Sequence, residues 1–179
     1  MSLTYEPLNL NHVLAFRDWG RHTDPRFDDY NFYEKTVSDC EAWLAWKTGG
    51  GKYYTVLLDQ RPIGYVSFKR LPRLGGRELG VVFDPNYVSQ GYGSEALQTM
   101  IRRYFEMTNY TKLYLSVARY NIRARRLYDT LGFQKTHTTF MKYDNPRNGM
   151  EMDKNYFFQI MGMVFFYVDH MVLRRSDCR

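Results

Sequence analysis

Apolar positions along this chain follow two different spacings, and the spacing changes at identifiable points. Between Ser94 and Met107, the residues Ala96, Leu97, Met100, Ile101, Tyr104 and Phe105 recur every three or four positions, which places them on one face of a helix. Lys112–Val117 alternates polar and apolar residues instead, the period of a strand. Leu79–Phe83 is a short apolar run closed by Asp84-Pro85, and Glu78–Phe83 reads as a strand. Upstream, Leu3–Leu8 reads as a short strand, and Asn11–Trp19 and Ser38–Trp46 as helices. Ser38 stands as N-cap of the second of these helices, with Glu41 three residues on. Gly49-Gly50-Gly51 ends that helical region. Tyr53–Leu58 and Ile63–Phe68 then flank the turn Asp59-Gln60-Arg61-Pro62 as a hairpin. Asn121–Leu131 is the next helix, and Phe133–Tyr143 with Val164–Leu173 forms a final strand pair. The polar connection between them, Asp144–Asn155, is long for a hairpin. No repeat or low-complexity run interrupts the chain.

The turn ahead of the helix at Ser94 carries the first candidate chemistry. It reads Val88-Ser89-Gln90-Gly91-Tyr92-Gly93-Ser94-Glu95-Ala96, directly after a strand. A strand feeding a glycine-spaced helix start leaves several backbone N–H groups unpaired and converging, which suits a phosphate-like anion. The second segment is Asn121-Ile122-Arg123-Ala124-Arg125-Arg126-Leu127-Tyr128, followed by Asp129-Thr130-Leu131-Gly132-Phe133. Each residue also has a plainer reading. Gly91 and Gly93 serve as loop glycines, Asn121 as an N-cap, Tyr128 as core packing and Gly132 as a helix C-cap. The joint order of the two segments, with a strand on either side of the first helix, favours a ligand site.

Composition narrows the field. The chain has 179 residues, enough for one domain with its own core. With 44% hydrophobic and 25% charged residues it matches an ordinary globular protein, while the 17% aromatic share suggests packing-rich surfaces or a ligand cleft. Cys40 and Cys178 fit no metal or redox spacing, which favours reduced thiols and a cytoplasmic location. The amino end lacks a basic stretch followed by an apolar one, so no secretory signal is read. The longest apolar run, Tyr156–Val168, is too short to span a membrane and is interrupted by Gln159. The net charge is +6, but Arg102, Arg103, Arg119, Arg123, Arg125 and Arg126 cluster where a polyphosphate is expected. The charge is therefore read as ligand-directed, with no nucleic-acid motif to support the other reading.

In these two segments the chain resembles the GNAT superfamily of acyl-CoA-dependent N-acyltransferases. Leu79–Met107 is similar to the family's acyl-CoA-binding strand, loop and helix. Asn121–Phe133 is similar to its second signature, an Asn followed by a Tyr seven residues on and then Gly-Phe. The wording Gly-Tyr-Gly-Ser-Glu-Ala-Leu is most similar to the branch that acetylates protein N-termini, including those of ribosomal proteins. In element order the resemblance covers essentially the whole chain, and it is specific over residues 78–133. It departs at Val88, where the family usually carries Arg or Gln, and residues 144–163 have no counterpart. The implied fold is α/β (α+β): a single N-acetyltransferase domain over residues 1–179. Its expected core is a mixed, mostly antiparallel sheet of about seven strands flanked by about four helices.

The resemblance also implies roles. Backbone N–H groups from Ser89, Gln90, Gly91, Tyr92, Gly93 and Ser94 would receive the pyrophosphate of acetyl-CoA, with Asn121 and Arg126 as further cofactor-side residues. Strand Val81–Phe83 would separate from Leu113–Val117, so that pantetheine pairs with Val81, Val82 and Phe83 like an added strand. An N–H near Val82 or Phe83 would hold the thioester oxygen. Asn121, Ala124 and Tyr128 share a helix face, and Tyr128 is the candidate general acid for the departing thiolate. Glu78 is the candidate general base, beside the reading of a solvated strand-end carboxylate; Asp84 and His137 are weaker candidates. Cys40 reads as a structural thiol. Trp19, Tyr30, Phe32, Tyr33, Trp43 and Trp46 lie in elements that flank the acceptor cleft in this family, or simply pack there.

The expected function is N-acetyl transfer from acetyl-CoA to a primary amine by direct attack in a ternary complex. The acceptor is a protein N-terminus or a small molecule such as a polyamine or aminoglycoside. The alternative is a non-catalytic acyl-CoA-binding or sensor module on the same fold. No metal, nucleic-acid or membrane partner is expected. For residues 144–163, cover over the acceptor cleft and the contact of a homodimer both stay open.

Overall fold

The computed structural model describes residues 2–144 and 152–178. The chain divides into two compact units, Met1–Tyr110 and Thr111–Arg179.

The first unit opens with β1 (Leu3–Pro7), α1 (Leu10–Ala15), a 3-10 turn at Phe16–Asp18, a second 3-10 stretch at Pro25–Tyr30 and α2 (Val37–Gly50). It continues through β2 (Gly51–Leu58), β3 (Arg61–Leu71), β4 (Gly76–Phe83), a 3-10 turn at Pro85–Tyr87 and α3 (Tyr92–Met107). The strands pair antiparallel in the order β1-β2-β3-β4. Asp59 and Gln60 adopt φ 47° and 68°, so the β2–β3 hairpin turns on two left-handed residues, the geometry that matches strand twist. One face of this sheet presents Tyr53, Tyr65 and Val82 to Val13, Phe16, Trp19 and Cys40. On the other, Phe68 stacks on Tyr104 of α3 with ring centroids 5.0 Å apart. The buried residues of α3 are Ala96, Leu97, Met100, Ile101, Tyr104 and Phe105, the stripe its periodicity predicts.

The helix starts differ from expectation. The cap of α2 is Thr36, not Ser38: the Thr36 hydroxyl accepts from Asp39 N–H at 3.0 Å, and the Asp39 carboxylate accepts from Thr36 N–H at 3.1 Å. Thr36 has the extended backbone a cap needs, which leaves Ser38 inside the first turn. α1 begins at Leu10 because Asn9 caps it, accepting from His12 N–H, and it gives way at Phe16 to a 3-10 turn. The Pro25–Tyr30 stretch is an additional element; it forms where Asp24 accepts from Arg26 N–H and Pro25 fixes the first position.

The second unit comprises β5 (Lys112–Ala118), α4 (Ile122–Thr130), β6 (Gln134–Lys142), β7 (Phe157–Ile160) and β8 (Met163–Arg174). Strand β8 is its centre, pairing antiparallel with β5, β6 and β7. β5 and β6 both pair with Val168–Val172 of β8, so they occupy its opposite edges. The predicted strand Val164–Leu173 is β8, and β7, ahead of it in the apolar run Tyr156–Val168, is an additional strand. Met161 and Gly162 turn that apolar run at φ 49° and 77°, and Ile160 faces Met163 across the turn. Eight strands are thus present among the described residues, against the expected seven or so, with four α-helices. No helix among them is long and apolar enough to cross a membrane. Of the segment 144–163, residues 145–151 lie outside the described residues.

Candidate functional site

Strand β4 delivers the chain to the anion-binding candidate in the first unit. The Asp84 carboxylate caps the 3-10 turn that follows, accepting from Asn86 N–H at 3.0 Å. Beyond it Ser89 adopts φ 62° and Gly91 φ 91°, and Gly91 is the left-handed N-cap of α3 with no side-chain cap bond. A Cβ at Gly91 would meet nothing within 4 Å, so conformation rather than space favours glycine there. The first bond of the helix runs from Glu95 N–H to Gly91 C=O at 3.1 Å. The N–H groups of Tyr92, Gly93 and Ser94 therefore fall in the first turn, where helix geometry supplies no acceptor. Ser89, Gln90 and Gly91 are exposed, and Tyr92, Gly93 and Ser94 are half-buried. The Gln90 amide folds back onto the Asn86 carbonyl at 2.7 Å, which stiffens the loop from within. An uncapped start of a 16-residue helix fits a diphosphate through first-turn amides that lack a helical acceptor and through the helix dipole.

Val81, Val82 and Phe83 are half-buried on β4 and pair with Val66, Tyr65 and Gly64. Glu78 sits further up the strand opposite Lys69, about 17 Å along it from Phe83. Burial pushes the Tyr53 phenol upward; a hydrogen bond to Ser67 pulls it back, and the Glu78 charge adds to the rise. Glu78 thus acts electrostatically on the same face as the aromatic core.

The early aromatics divide. Trp19 is buried and donates its indole N–H to the Pro62 carbonyl at 2.9 Å, and Phe32 and Trp43 pack on the same cluster. Tyr33 is exposed and its hydroxyl donates to Asp28 at 2.7 Å, while Trp46 is 72% exposed. Cys40 is wholly buried and burial pushes its thiol upward, as expected of a structural thiol.

In the second unit, Asn121 is the N-cap of α4: its side-chain oxygen accepts from Ala124 N–H at 3.2 Å. Asn121 and Tyr128 are buried on α4 while Arg126 is exposed. Arg125 turns toward Asp169 at 3.4 Å. Gly132 adopts φ 91°, and its N–H and that of Phe133 close the helix onto the carbonyls of Asp129 and Tyr128. His137 is exposed on β6 and stacks on His170 with centroids 4.3 Å apart.

Two buried carboxylates went unread as structural centres. Asp169 is 1% exposed and meets Arg119 and Lys135 at 3.0 Å and Arg125 at 3.4 Å. Burial works against its charge, but hydrogen bonds from Arg119, Lys135 and Thr138 hold the carboxyl well below the usual carboxylate range. Asp84, fully buried, accepts from Gly20 N–H at 3.0 Å as well as from Asn86. For Asp84 the adjacent Pro85 and its place just after a strand were the available signals; for Asp169, its place inside an apolar strand.

Residues 14–133 match the Acetyltransferase (GNAT) family. An uncharacterized N-acetyltransferase, YnaD, of Bacillus subtilis is 27% identical over 125 residues, spanning 68% of this chain and 72% of that protein. Among solved structures, the spermidine N-acetyltransferase of Vibrio cholerae in complex with CoA and spermine superposes with a TM-score of 0.71 at 17% identity, over 98% of this chain and 96% of the other. A GNAT-family acetyltransferase of Bacillus anthracis superposes with a TM-score of 0.69 at 15% identity, over 98% and 96% of the two chains.

Proposed function

Because this chain belongs to the acetyltransferase (GNAT) family, we propose that it moves an acetyl group from acetyl-CoA onto a primary amine by direct attack in a ternary complex. The observation that carries the acetyl-CoA reading is the uncapped start of α3, with left-handed Gly91 and first-turn amides that no helical carbonyl can satisfy. Amides from Ser89 to Ser94 receive the diphosphate, with Arg126 and Asn121 as cofactor-side residues. Val81, Val82 and Phe83 offer backbone groups to the pantetheine arm and the thioester oxygen. Bound acetyl-CoA supplies an activated carbonyl and a thiolate leaving group. Tyr128 holds the proton that the departing sulfur takes: a phenol with a reference pKa near 10 protonates a thiolate of about 8.5 only when held beside it. Glu78 is the candidate base, and because it stands about 17 Å along β4 from Phe83 the proton that the amine releases would reach it only through a chain of waters. The working unit is a single domain over residues 1–179, in the cytoplasm.

For the acceptor, charge distribution favours a polycationic amine. Residues 18–41 carry seven carboxylates and three cations, a net charge of −4 in a chain of net charge +6. Such a segment attracts a polyamine, with its several positive charges, more than a peptide terminus that carries one. The protein N-terminus remains the competing acceptor, on the wording of the Gly91–Leu97 segment. A coupled thiol-release assay across polyamines, N-terminal peptides and aminoglycosides decides between them. Turnover confined to N-terminal peptides would overturn the polyamine reading. Tight acetyl-CoA binding with no turnover on any amine would favour the acyl-CoA-binding module.

A further inference from the structure

The Asp84 side chain is 0% exposed, and three stretches of the first unit converge on it. Its Oδ1 accepts from Gly20 N–H and from Asn86 N–H, each at 3.0 Å. Its own N–H donates to the Ile63 carbonyl at 2.8 Å, and its carbonyl accepts from Tyr87 N–H at 2.8 Å. Oδ2 has no hydrogen-bond partner among the described residues, and Arg61 Nη2 stands 3.9 Å away. Next door, the indole of Trp19 is tied to the Pro62 carbonyl at 2.9 Å. The packing at Gly20 is close enough that a Cβ there would sit 2.8 Å from both Nδ2 and Oδ1 of Asn86.

Burying a carboxylate with one oxygen unmatched is unfavourable by itself, so stability alone accounts poorly for it. What it achieves is registration. Gly20 lies near the start of the net-negative segment 18–41, and residues 84–87 lead straight into the amides at 89–94. We propose that Asp84 is a positioning residue that locks the acceptor-side segment beginning at Gly20 to the acyl-CoA loop beginning at Asn86. This rests on the acetyl-CoA reading given above. The lock predicts that disturbing Asp84, which is buried away from solvent, changes the binding of acetyl-CoA and of the acceptor amine together.

The test compares Asp84→Ala, Asp84→Asn and Gly20→Ala. Asp84→Asn keeps an oxygen that can accept from Gly20 and Asn86, so it should stay within about twofold of the wild type in acetyl-CoA Kd. Asp84→Ala removes that acceptor, and Gly20→Ala drives a methyl into the Asn86 side chain. Both should weaken acetyl-CoA binding about tenfold by calorimetry, the loss expected for a hydrogen bond to a charged group. Both should also raise KM for acetyl-CoA and for the acceptor while moving kcat less. Amide exchange in the ligand-free protein reads the lock separately: Gly20 and Asn86 should exchange at least about tenfold faster in Asp84→Ala, below the global unfolding limit. A lowered melting temperature with unchanged Kd and unchanged exchange at those two amides would overturn the proposal. Should Asp84→Ala not fold, Asp84→Asn and Gly20→Ala carry the comparison. A wild type that fails to bind acetyl-CoA would overturn the acetyl-CoA reading instead, and the exchange rates would then decide the lock alone.

Discussion

Phe133 donates its backbone N–H to the Tyr128 carbonyl at 3.0 Å, and the two rings meet edge to face with centroids 5.8 Å apart. Gly132 N–H donates to Asp129 C=O at 3.1 Å, and together these bonds close α4 in a Schellman motif whose apolar contact is the Tyr128–Phe133 pair. The Leu131-Gly132-Phe133 ending therefore holds the ring proposed as the general acid. Gly132 sits at φ 91°, a conformation L side chains rarely adopt. Gly132→Ala should lose about 1–2 kcal/mol in urea unfolding. A change under about 0.3 kcal/mol would show that the helix end relaxes freely.

Removing only the Tyr128 hydroxyl leaves that closure intact, because the motif uses the backbone and the ring. Tyr128→Phe should therefore keep its melting temperature within a few degrees and its acetyl-CoA Kd unchanged. Turnover should fall about 10²-fold, the typical worth of a positioned proton donor. Wild-type kcat in this variant would assign Tyr128 to packing alone.

How far the sequence could be read depended on whether a residue's partners lay near it in the chain. The six buried residues of α3 were legible because helical period alone selects them, and the cap at Asn121 and the close at Gly132 depend only on neighbours within a turn. Thr36 was missed because Ser38 offers the same hydroxyl chemistry two residues later, and only the backbone angle separates the two. β7 is hard to read because it lies in an apolar run broken only by Gln159, whose turn signal is a single glycine, Gly162. Asp84 and Asp169 were the hardest to read. One takes its N–H from Gly20, 64 residues away, and the other its guanidinium from Arg119, 50 residues away. No local pattern records such a pairing.

Asp169 makes acid the sensitive direction for the second unit. Its carboxyl lies well below the ordinary carboxylate range when folded, so its contribution is present above that range and is lost as pH falls from about 4 through the folded pKa. Asp169→Asn should lose about 2–3 kcal/mol near neutral pH, since the three cations are partly exposed and recover some hydration. It should also show a shallower decline between about pH 4 and pH 2 than the wild type. Parallel acid limbs in urea titrations of the two proteins would assign the acid sensitivity to other carboxylates.

Conformation, not space, favours glycine at the start of α3. At Gly91 a methyl group would meet no atom within 4 Å, yet φ is 91°. Gly91→Ala therefore tests the left-handed turn without introducing a clash. The backbone should favour an ordinary φ by about 1–2 kcal/mol, which reorients the amides that follow it. Binding of acetyl-CoA should weaken about tenfold or more, because several N–H donors lose their common focus at once. Gly49→Ala, also in open space but without a positive φ and away from the loop, provides the control and should leave Kd unchanged. If Gly91→Ala binds acetyl-CoA as tightly as the wild type, the amides at the start of α3 do not receive the diphosphate.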